Sequence, residues 1–318
     1  MARISQSIEE AKALLESEEI VAIPTETVYG LAGNIFSEKA IKRIFELKGR
    51  PLINPLIVHI NDLNMLEQIA QDIPEDALIL AEHFWPGPLT LVLPKKDTVP
   101  DIITANKPTV AVRMPEHPVT RALLSQLDFP LAAPSANPFK RISPTKAQHV
   151  ANYFPEGLEL VLEGGTCEKG IESTILGFEN GKAILYRHGA LAKEEIVALI
   201  GEIGEHTNNE EAPEAPGMLL QHYSPRTPLI LVDDVSEAMK DYPEMEIGLI
   251  VFSTPVAHHP EKQQMVLSEQ RSLKEAASKL YTAMHDLDQL DLDLIIAEIM
   301  PLHGIGVGMN DRLRRASK

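Results

Sequence analysis

Two cations, Lys48 and Arg50, stand one residue apart, where an amphipathic segment meets Pro51. Arginine offers a planar fork to a phosphate or carboxylate and lysine a compact point charge, so the two could converge on one anion. Asn54 could donate its amide to the same ligand or simply satisfy a turn. The alternative for the two cations is a solvated helix end, since basic residues suit a helix C-terminus.

A second group of donors follows a predicted strand over 130–133. Ser135 and Asn137 lie there in a loop bounded by prolines, and α/β proteins place ligands at such strand ends. Their hydroxyl and amide groups suit a phosphate or ribose, although an ordinary turn would also use them. Ser143 begins a predicted helix over 143–153, where it could cap the helix or share the N-terminus with a phosphate.

Arg113 and His59 belong to two short apolar strands, predicted over 109–113 and 56–60. An unpaired cation among apolar neighbours is costly, so Arg113 needs either an internal carboxylate or an anionic ligand. His59 lies on the face opposite the apolar residues of its strand. A lone histidine in that position is more often a satisfied core residue than a ligand.

Three further polar positions could complete an anion site. Ser173 lies in the loop 170–174, whose backbone N–H groups could form an anion nest. Arg187 ends a predicted strand over 183–187 and adds a second basic position. His222 follows a Pro-rich stretch and could belong to a lid or start a second domain.

The sequence lacks the familiar motifs of nucleotide binding and nucleophilic catalysis. It contains no Gly-x-x-x-x-Gly-Lys-Ser/Thr, and the glycine-rich run 304–308 lacks the following acidic residue of a dinucleotide fingerprint. We interpret that run as a tight turn. No Ser/His/Asp order, paired-carboxylate pattern or His-x-x-x-His motif competes with these donors. The donors therefore suit an enzyme that positions two anionic reactants and relieves their repulsion, as nucleotidyl transfer requires.

Hydrophobic periodicity predicts the elements that carry these side chains. The strands are predicted at 20–23, 56–60, 89–93, 109–113, 130–133, 174–178 and 183–187. The helices are predicted near 8–15, 40–47, 62–70, 74–83, 119–127, 143–153 and 194–200. This mixture predicts an α/β domain over residues 1–200.

The composition of the chain and the order of its predicted elements change after residue 200. Residues 201–225 form a polar, Pro-rich linker or lid. Beyond it, strands predicted at 229–232, 247–252 and 294–299 alternate with helices at 235–241, 273–287 and 310–316. Strands that alternate with helices indicate a small parallel sheet covered on both faces, over residues 226–318.

Composition limits the partners and the compartment. The net charge of −17 over 318 residues argues against a broad contact with a nucleic-acid backbone, but it permits a small anion held by a few local cations. The single cysteine, Cys167, excludes a disulfide framework and a cysteine-built zinc site. No leader peptide and no membrane-spanning run are evident. We expect a cytoplasmic protein.

Together these motifs resemble the YrdC-like threonylcarbamoyl-AMP synthases. The resemblance spans about residues 20–187, and the linker motif 215–218 with His222-Tyr223-x-Pro225 resembles the longer, two-domain form. It implies a YrdC-like twisted mixed sheet with flanking helices, followed by a small Rossmann-like parallel α/β domain. The chain departs from the family pattern at Lys140, where a small residue or glycine is common. The motifs are Pro24-Thr25-Glu26-Thr27-x-Tyr29-Gly30-Leu31, Lys48-x-Arg50, Asn54-Pro55-Leu56-x-x-His59, Trp85-Pro86-Gly87-Pro88-x-Thr90, Arg113-x-Pro115, Ser135-x-Asn137 and Ser143-Pro144-Thr145.

The resemblance also implies a reaction and a set of contacts. L-threonine, bicarbonate and ATP, the last with Mg²⁺ on its phosphates, would give threonylcarbamoyl-AMP and pyrophosphate, a step toward N6-threonylcarbamoyladenosine in tRNA. A separate tRNA-modifying complex would take the product. The implied catalytic residues are Lys48, Arg50, Ser135 and Asn137. The implied ATP contacts are Arg50, Asn54, Thr109, Ser135, Ser143, Arg187 and His222, and the implied threonine contacts are Thr27, His59, Arg113, Ala133 and Ser173.

Three other functions remain open from the sequence. One is carbamoyl-adenylate chemistry, as in hydrogenase-maturation proteins, although their acylphosphatase and cysteine zinc modules are missing. Another is an RNA-binding module without catalysis, which the acidic charge disfavours. For the same reason we do not expect direct tRNA binding. The third is an amino-acid adenylate former that does not use bicarbonate.

Overall fold

The computed structural model describes residues 2–206 and 222–318, and two β-sheets organise these parts of the chain. The first is an eleven-stranded mixed sheet with strand order β1-β8-β2-β3-β7-β4-β6-β5-β9-β10-β11. Its strands are β1 (Arg3–Ser5), β2 (Val21–Ile23), β3 (Gly30–Asn34), β4 (Ile57–His59), β5 (Leu89–Pro94), β6 (Thr109–Arg113), β7 (Leu131–Ala132), β8 (Leu160–Leu162), β9 (Thr174–Glu179), β10 (Lys182–Arg187) and β11 (Gly204–Glu205). The helices of this part are α1 (Ile8–Glu16), α2 (Glu38–Lys48), α3 (Leu63–Ile69), α4 (Glu75–Phe84), α5 (Asp101–Thr104), α6 (Pro118–Leu124), α7 (Ala147–Tyr153) and α8 (Lys193–Ile200). The predicted mixed α/β fold is confirmed.

The second sheet has four parallel strands in the order β12-β15-β13-β14. The elements of this part are β12 (Leu229–Val232), α9 (Val235–Ala238), β13 (Ile247–Val251), β14 (Gln264–Val266), α10 (Leu273–Leu287), β15 (Leu294–Glu298) and α11 (Ile305–Ala316). The predicted Rossmann-like parallel unit is therefore confirmed as well. The linker motif 215–218 lies outside the described residues, and the predicted boundaries at 200 and 225 stay a proposal.

The pleat of the first sheet decides which side chains face the core. Val58 of β4 and Val112 of β6 pack into the main hydrophobic core with residues of α2 and α4. Because successive side chains of a strand alternate between faces, His59 and Arg113 lie on the opposite face. Burying the valines therefore presents the two polar residues to the other side of the sheet.

The helix predicted from Ser143 is wrong at its start. Helix α7 begins at Ala147, after Lys146. The hydroxyl of Ser143 does not cap this helix, because it is fully buried and donates to the Glu172 carboxylate at 2.6 Å.

The tight turn predicted at 304–308 is also wrong. Gly304 precedes helix α11, which begins at Ile305 rather than near residue 310. A Cβ atom on Gly306 would lie 2.0 Å from the carbonyl oxygen of Pro301, so the glycine allows the first turn to approach that loop.

A membrane-spanning helix is not found in residues 2–206 and 222–318, where no helix combines the necessary length and apolar character.

Candidate functional site

A cleft beside the first sheet gathers most of the predicted site residues. It encloses about 550 Å³, including its open mouth. The predicted residues that line it are Thr27, Arg50, His59, Arg113, Ala133, Ser135, Ser173, Arg187 and His222. The other lining residues are Thr25, Val28, Gly30, Ile57, Pro134, Glu172 and Tyr223. Side chains distant in sequence are thus brought to one place.

The loop between β2 and β3 anchors Arg113 at the end of β6. Arg113 Nη1 donates to Thr27 Oγ1 at 2.9 Å, and its Nη2 donates to Glu26 Oε1 at 2.5 Å. Arg113 and Glu26 are both buried, so each offsets the cost of burying the other charge. Glu26 is the internal carboxylate that the sequence analysis left as one alternative. Each Nη nitrogen carries two N–H groups, so the guanidinium can hold Glu26 and still offer donors to an anion.

His59 faces the cleft beside Arg113. The two residues pair in register on the parallel strands β4 and β6. Burial, aided by the positive charge of Arg113, lowers the pKa of His59 to about 3, so the imidazole is neutral at neutral pH. Its Nδ1 atom is buried and has no hydrogen-bond partner within the described residues. An unsatisfied buried polar atom is costly, so a ligand in the cleft that reached this nitrogen would relieve that cost. The role of His59 as a threonine contact stays a prediction.

Arg50 and Arg187 supply a second concentration of positive charge on the cleft wall. Arg50 Nη2 donates to the Pro55 carbonyl at 3.0 Å, whereas its buried Nε has no partner in the described parts of the chain. Arg187 donates through Nε and Nη2 to the Ser173 carbonyl at 3.1 and 2.9 Å. Burial lowers the pKa of Arg50 to about 10, which leaves it charged at neutral pH. These buried cations favour an anionic ligand although the chain is acidic overall.

His222 also lines the cleft, next to these arginines. Burial, together with the charges of Arg50 and Lys48, lowers the pKa of His222 well below its ordinary value. Its Nδ1 atom is buried and has no partner in residues 2–206 and 222–318. Like His59, it is a neutral imidazole with an unsatisfied nitrogen at the site.

Lys48 does not line the cleft, yet it holds a segment that does. Its buried ammonium group donates to the carbonyls of Ser135 and Asn137, the latter at 2.5 Å. The alternative of a solvated helix end is therefore wrong for Lys48. The contacts make it a support for the Ser135–Asn137 loop.

The remaining predicted residues lie outside the cleft lining, and their roles stay predictions. They are Asn54, Thr109, Asn137 and Ser143. Thr109 begins β6, at the opposite end from Arg113. Asn54 Nδ2 and Asn137 Oδ1 are buried without partners among the described residues, so each amide keeps one unsatisfied atom.

Glu172 and Thr25 are two of the seven lining residues that the sequence analysis did not single out. Thr25 Oγ1 accepts the N–H groups of Thr27 and Val28, both at 3.2 Å, and thereby shapes the loop that holds Arg113. The spacing of a threonine two residues before Thr27 is a signal for this hydroxyl turn. For Glu172 the signal was its position inside the glycine-bounded loop before Ser173.

Comparison with known proteins covers both parts of the chain. Residues 13–189 match the Sua5/YciO/YrdC family, described as "Telomere recombination". Residues 191–318 match the family described as "Threonylcarbamoyl-AMP synthase, C-terminal domain". A Pyrococcus abyssi threonylcarbamoyl-AMP synthase is 40% identical over 96% of this chain and 93% of its own length. A Bacillus subtilis protein of the same name is 38% identical over 98% and 92%. The crystal structure of P. abyssi Sua5 complexed with L-threonine matches with a TM-score of 0.91 and 39% identity, over 98% of this chain and 94% of that one.

Proposed function

Since the chain belongs to the threonylcarbamoyl-AMP synthase family, we propose that it joins L-threonine, bicarbonate and ATP into threonylcarbamoyl-AMP and releases pyrophosphate. One observation carries the proposal. Three buried arginines, Arg50, Arg113 and Arg187, line one cleft of a chain whose net charge is −17. Such a site suits a reaction that brings two anionic reactants together, and it differs from the broad exposed cationic surface of an RNA-binding module.

The spacing of the arginines fits two reactants side by side. Strands β6 and β10 run in the same direction, and Arg113 and Arg187 each end their strand at the same edge of the sheet. Two strands, β5 and β9, lie between them, so the backbones are separated by about 14 Å. That distance leaves room for an amino acid at one arginine and a triphosphate at the other.

Threonine belongs at the Arg113 end. Its carboxylate would accept the N–H groups of Arg113 that face the cleft, and its polar groups would meet Thr27 and the unsatisfied Nδ1 of His59. Ala133 and Ser173 line the same cleft and would bound the side chain. The threonine-complexed relative supports this choice of amino acid.

ATP belongs at the Arg50 and Arg187 end, with Ser135 and His222 on the cleft wall. The threonine amine and bicarbonate first form N-carboxythreonine and water. An oxygen of the new carboxylate then attacks the α-phosphorus of ATP, the bond to the β-phosphate breaks, and pyrophosphate leaves. The cations offset the repulsion between the attacking carboxylate and the triphosphate, while the cleft fixes their alignment.

Mg²⁺ would enter with ATP on the phosphates. The described residues contain no group of three or more His, Cys, Asp or Glu residues able to hold a metal ion. Glu172 lines the cleft, but its oxygens already accept hydrogen bonds from Ser143, Tyr281 and Arg312. The residues present therefore do not fit a metal site built from protein carboxylates.

The downstream steps extend the proposal. Threonylcarbamoyl-AMP is an activated acyl donor, so a tRNA threonylcarbamoyl-transferase complex would consume it, by transient contact or after diffusion. The cytoplasmic location expected from the single cysteine stays a prediction.

Pyrophosphate release from ATP tests the proposal. The purified chain is assayed with Mg²⁺, with threonine and bicarbonate supplied separately and together. Release should require both co-substrates. Release with threonine alone in bicarbonate-free buffer would indicate an ordinary amino-acid adenylate former. A folded protein that releases no pyrophosphate and binds RNA in a salt-dependent manner would instead favour the RNA-binding alternative.

A further inference from the structure

The Glu172 carboxylate connects the cleft to the second domain. Its Oε1 accepts the Ser143 hydroxyl at 2.6 Å, and its Oε2 accepts Tyr281 OH and Arg312 Nε, both at 3.0 Å. Tyr281 lies on α10 and Arg312 on α11, so both come from the part of the chain that follows the linker. One carboxylate of the cleft is thus held from both sides.

Arg312 makes further contacts around the nucleotide end of the cleft. It is fully buried, and its Nη1 donates to the His188 carbonyl, directly after Arg187. Its guanidinium also lies over the ring of Tyr223, 5.5 Å from the centroid, where a cation–π attraction acts. Arg312 therefore contacts the neighbours of both Arg187 and His222.

A close backbone approach keeps helix α11 in this place. A Cβ atom on Gly308 would lie 3.2 Å from the carbonyl oxygen and 3.4 Å from the nitrogen of Gly189. The glycine thus lets the helix pack on the segment that follows β10. This packing brings Arg312 within reach of Glu172.

The charge of Glu172 gives Arg312 a function beyond packing. Burial alone raises the pKa of Glu172, but Arg312, Arg187 and the hydrogen bonds from Ser143 and the backbone together hold that pKa below its ordinary value. The carboxylate is therefore ionised, and it is the acidic residue among the lining residues of the cleft. An unpaired carboxylate there would repel a triphosphate.

We propose that Arg312 is a positioning residue for ATP. It neutralises Glu172 and, with Tyr281, fixes the carboxylate that holds the Ser143 hydroxyl. The second domain thereby completes the nucleotide end of the cleft, whereas Arg113 at the threonine end is held by Glu26 and Thr27. This inference rests on the proposed function, because it takes ATP as the ligand at this end.

Binding measurements separate this role from general stability. Arg312→Gln should weaken binding of a non-hydrolysable ATP analogue with Mg²⁺ by about ten- to a hundredfold. The dissociation constant for threonine, measured without nucleotide, should change less than about twofold. Arg314→Gln is the matched control, because Arg314 is an exposed residue of the same helix, and it should bind the analogue like the wild type.

A milder substitution tests the same inference if Arg312→Gln does not fold. Tyr281→Phe removes only the hydroxyl that donates to Glu172 and should weaken analogue binding about three- to tenfold. Tyr242→Phe makes the same chemical change at a half-buried residue of the second domain and should have no effect.

Removing the negative charge of Glu172 from the Arg312→Gln variant tests how Arg312 acts. If Arg312 acts by neutralising Glu172, then Glu172→Gln introduced into Arg312→Gln should restore most of the lost affinity for the analogue. The inference is overturned if folded Arg312→Gln and Tyr281→Phe bind the analogue normally. It is also overturned if Arg312→Gln weakens threonine and analogue equally without rescue. Because these readouts are binding constants, a wild type that binds the analogue but makes no product would contradict the proposed function alone.

Discussion

His59 and Arg113 occupy paired positions on the parallel strands β4 and β6, and both side chains face the same cleft. Arg113 is fixed by Glu26 and Thr27, whereas His59 keeps an unsatisfied Nδ1. One side chain is thus rigidly positioned and charged, while the other is neutral and unsatisfied. This combination suits an amino acid, which offers a carboxylate to one and a polar hydrogen to the other.

Arg113→Lys should lower kcat/KM for threonine about thirty- to a hundredfold. Lysine keeps the charge but lacks the fork that holds Thr27, Glu26 and a substrate carboxylate at once, and a charge-assisted hydrogen bond contributes about 2–3 kcal/mol. Initial rates of pyrophosphate release at varied threonine concentration measure the effect. Arg314→Lys, an exposed exchange of the same kind, is the control. A defect confined to the KM for ATP would show that threonine does not bind at Arg113.

Lys48→Met should loosen the Ser135–Asn137 loop. The change keeps most of the side-chain volume but removes the ammonium group that donates to both carbonyls. We expect faster amide hydrogen exchange in peptides covering this loop and at least about a tenfold loss in kcat/KM for ATP. Lys42→Met, at an exposed position of the same helix, serves as the control. Normal exchange in the loop with lost activity would instead place Lys48 directly on the substrate.

Stability should fall in mild acid, and two stacked histidines contribute to this effect beside His59 and His222. His149 and His285 lie with ring centroids 3.9 Å apart, and burial lowers their pKa values to about 3 and about 4, below the ordinary 6.5. Between these values and 6.5 the unfolded chain binds more protons than the native chain. The free energy of unfolding therefore decreases as pH falls below 6.5, by up to about 1.4 kcal/mol per pH unit for each histidine.

Urea unfolding at pH 7.5, 6 and 5 measures the free energy of unfolding at each pH. Each additional proton that the unfolded chain binds changes its slope by about 1.4 kcal/mol per pH unit. His285→Gln keeps an N–H donor for the Ser143 carbonyl, which His285 Nε2 contacts at 3.1 Å, but it removes one titrating group. The free energy of unfolding of this variant should decrease less steeply than that of the wild type as pH falls. The difference in slope should correspond to about one proton. The exposed His303→Gln should retain the wild-type slope. Equal slopes for wild type and His285→Gln would exclude His285 as a source of the acid sensitivity.

Local sequence patterns predict the regular elements well. The strand Thr109–Arg113 and the helix Leu273–Leu287 have the bounds that alternation and helical periodicity predict. Strands such as Arg3–Ser5 and Leu160–Leu162 were missed, because each has three residues and is stabilised by pairing with a partner distant in the chain. The residues carry too little local pattern to indicate that pairing.

For the site, too, individual residues were predicted, but contacts across the fold were not. The motif residues that line the cleft were predicted from their resemblance to a family, whereas the contacts between them were not. Lys48 reaches carbonyls that lie 87 and 89 positions further along the chain, and Arg312 reaches Glu172 across 140 positions. Such contacts depend on the tertiary fold, so neither the buried state of Lys48 nor the contact between α11 and Glu172 could be predicted from sequence spacing.

Product identity tests the central claim most directly. The protein is incubated with ATP, Mg²⁺, threonine and ¹³C-bicarbonate, and the quenched mixture is analysed by mass spectrometry. We predict threonylcarbamoyl-AMP that carries one ¹³C atom in its carbamoyl group, in amounts matching the pyrophosphate released. Threonyl-AMP without label, or pyrophosphate released without a labelled adenylate, would contradict the account.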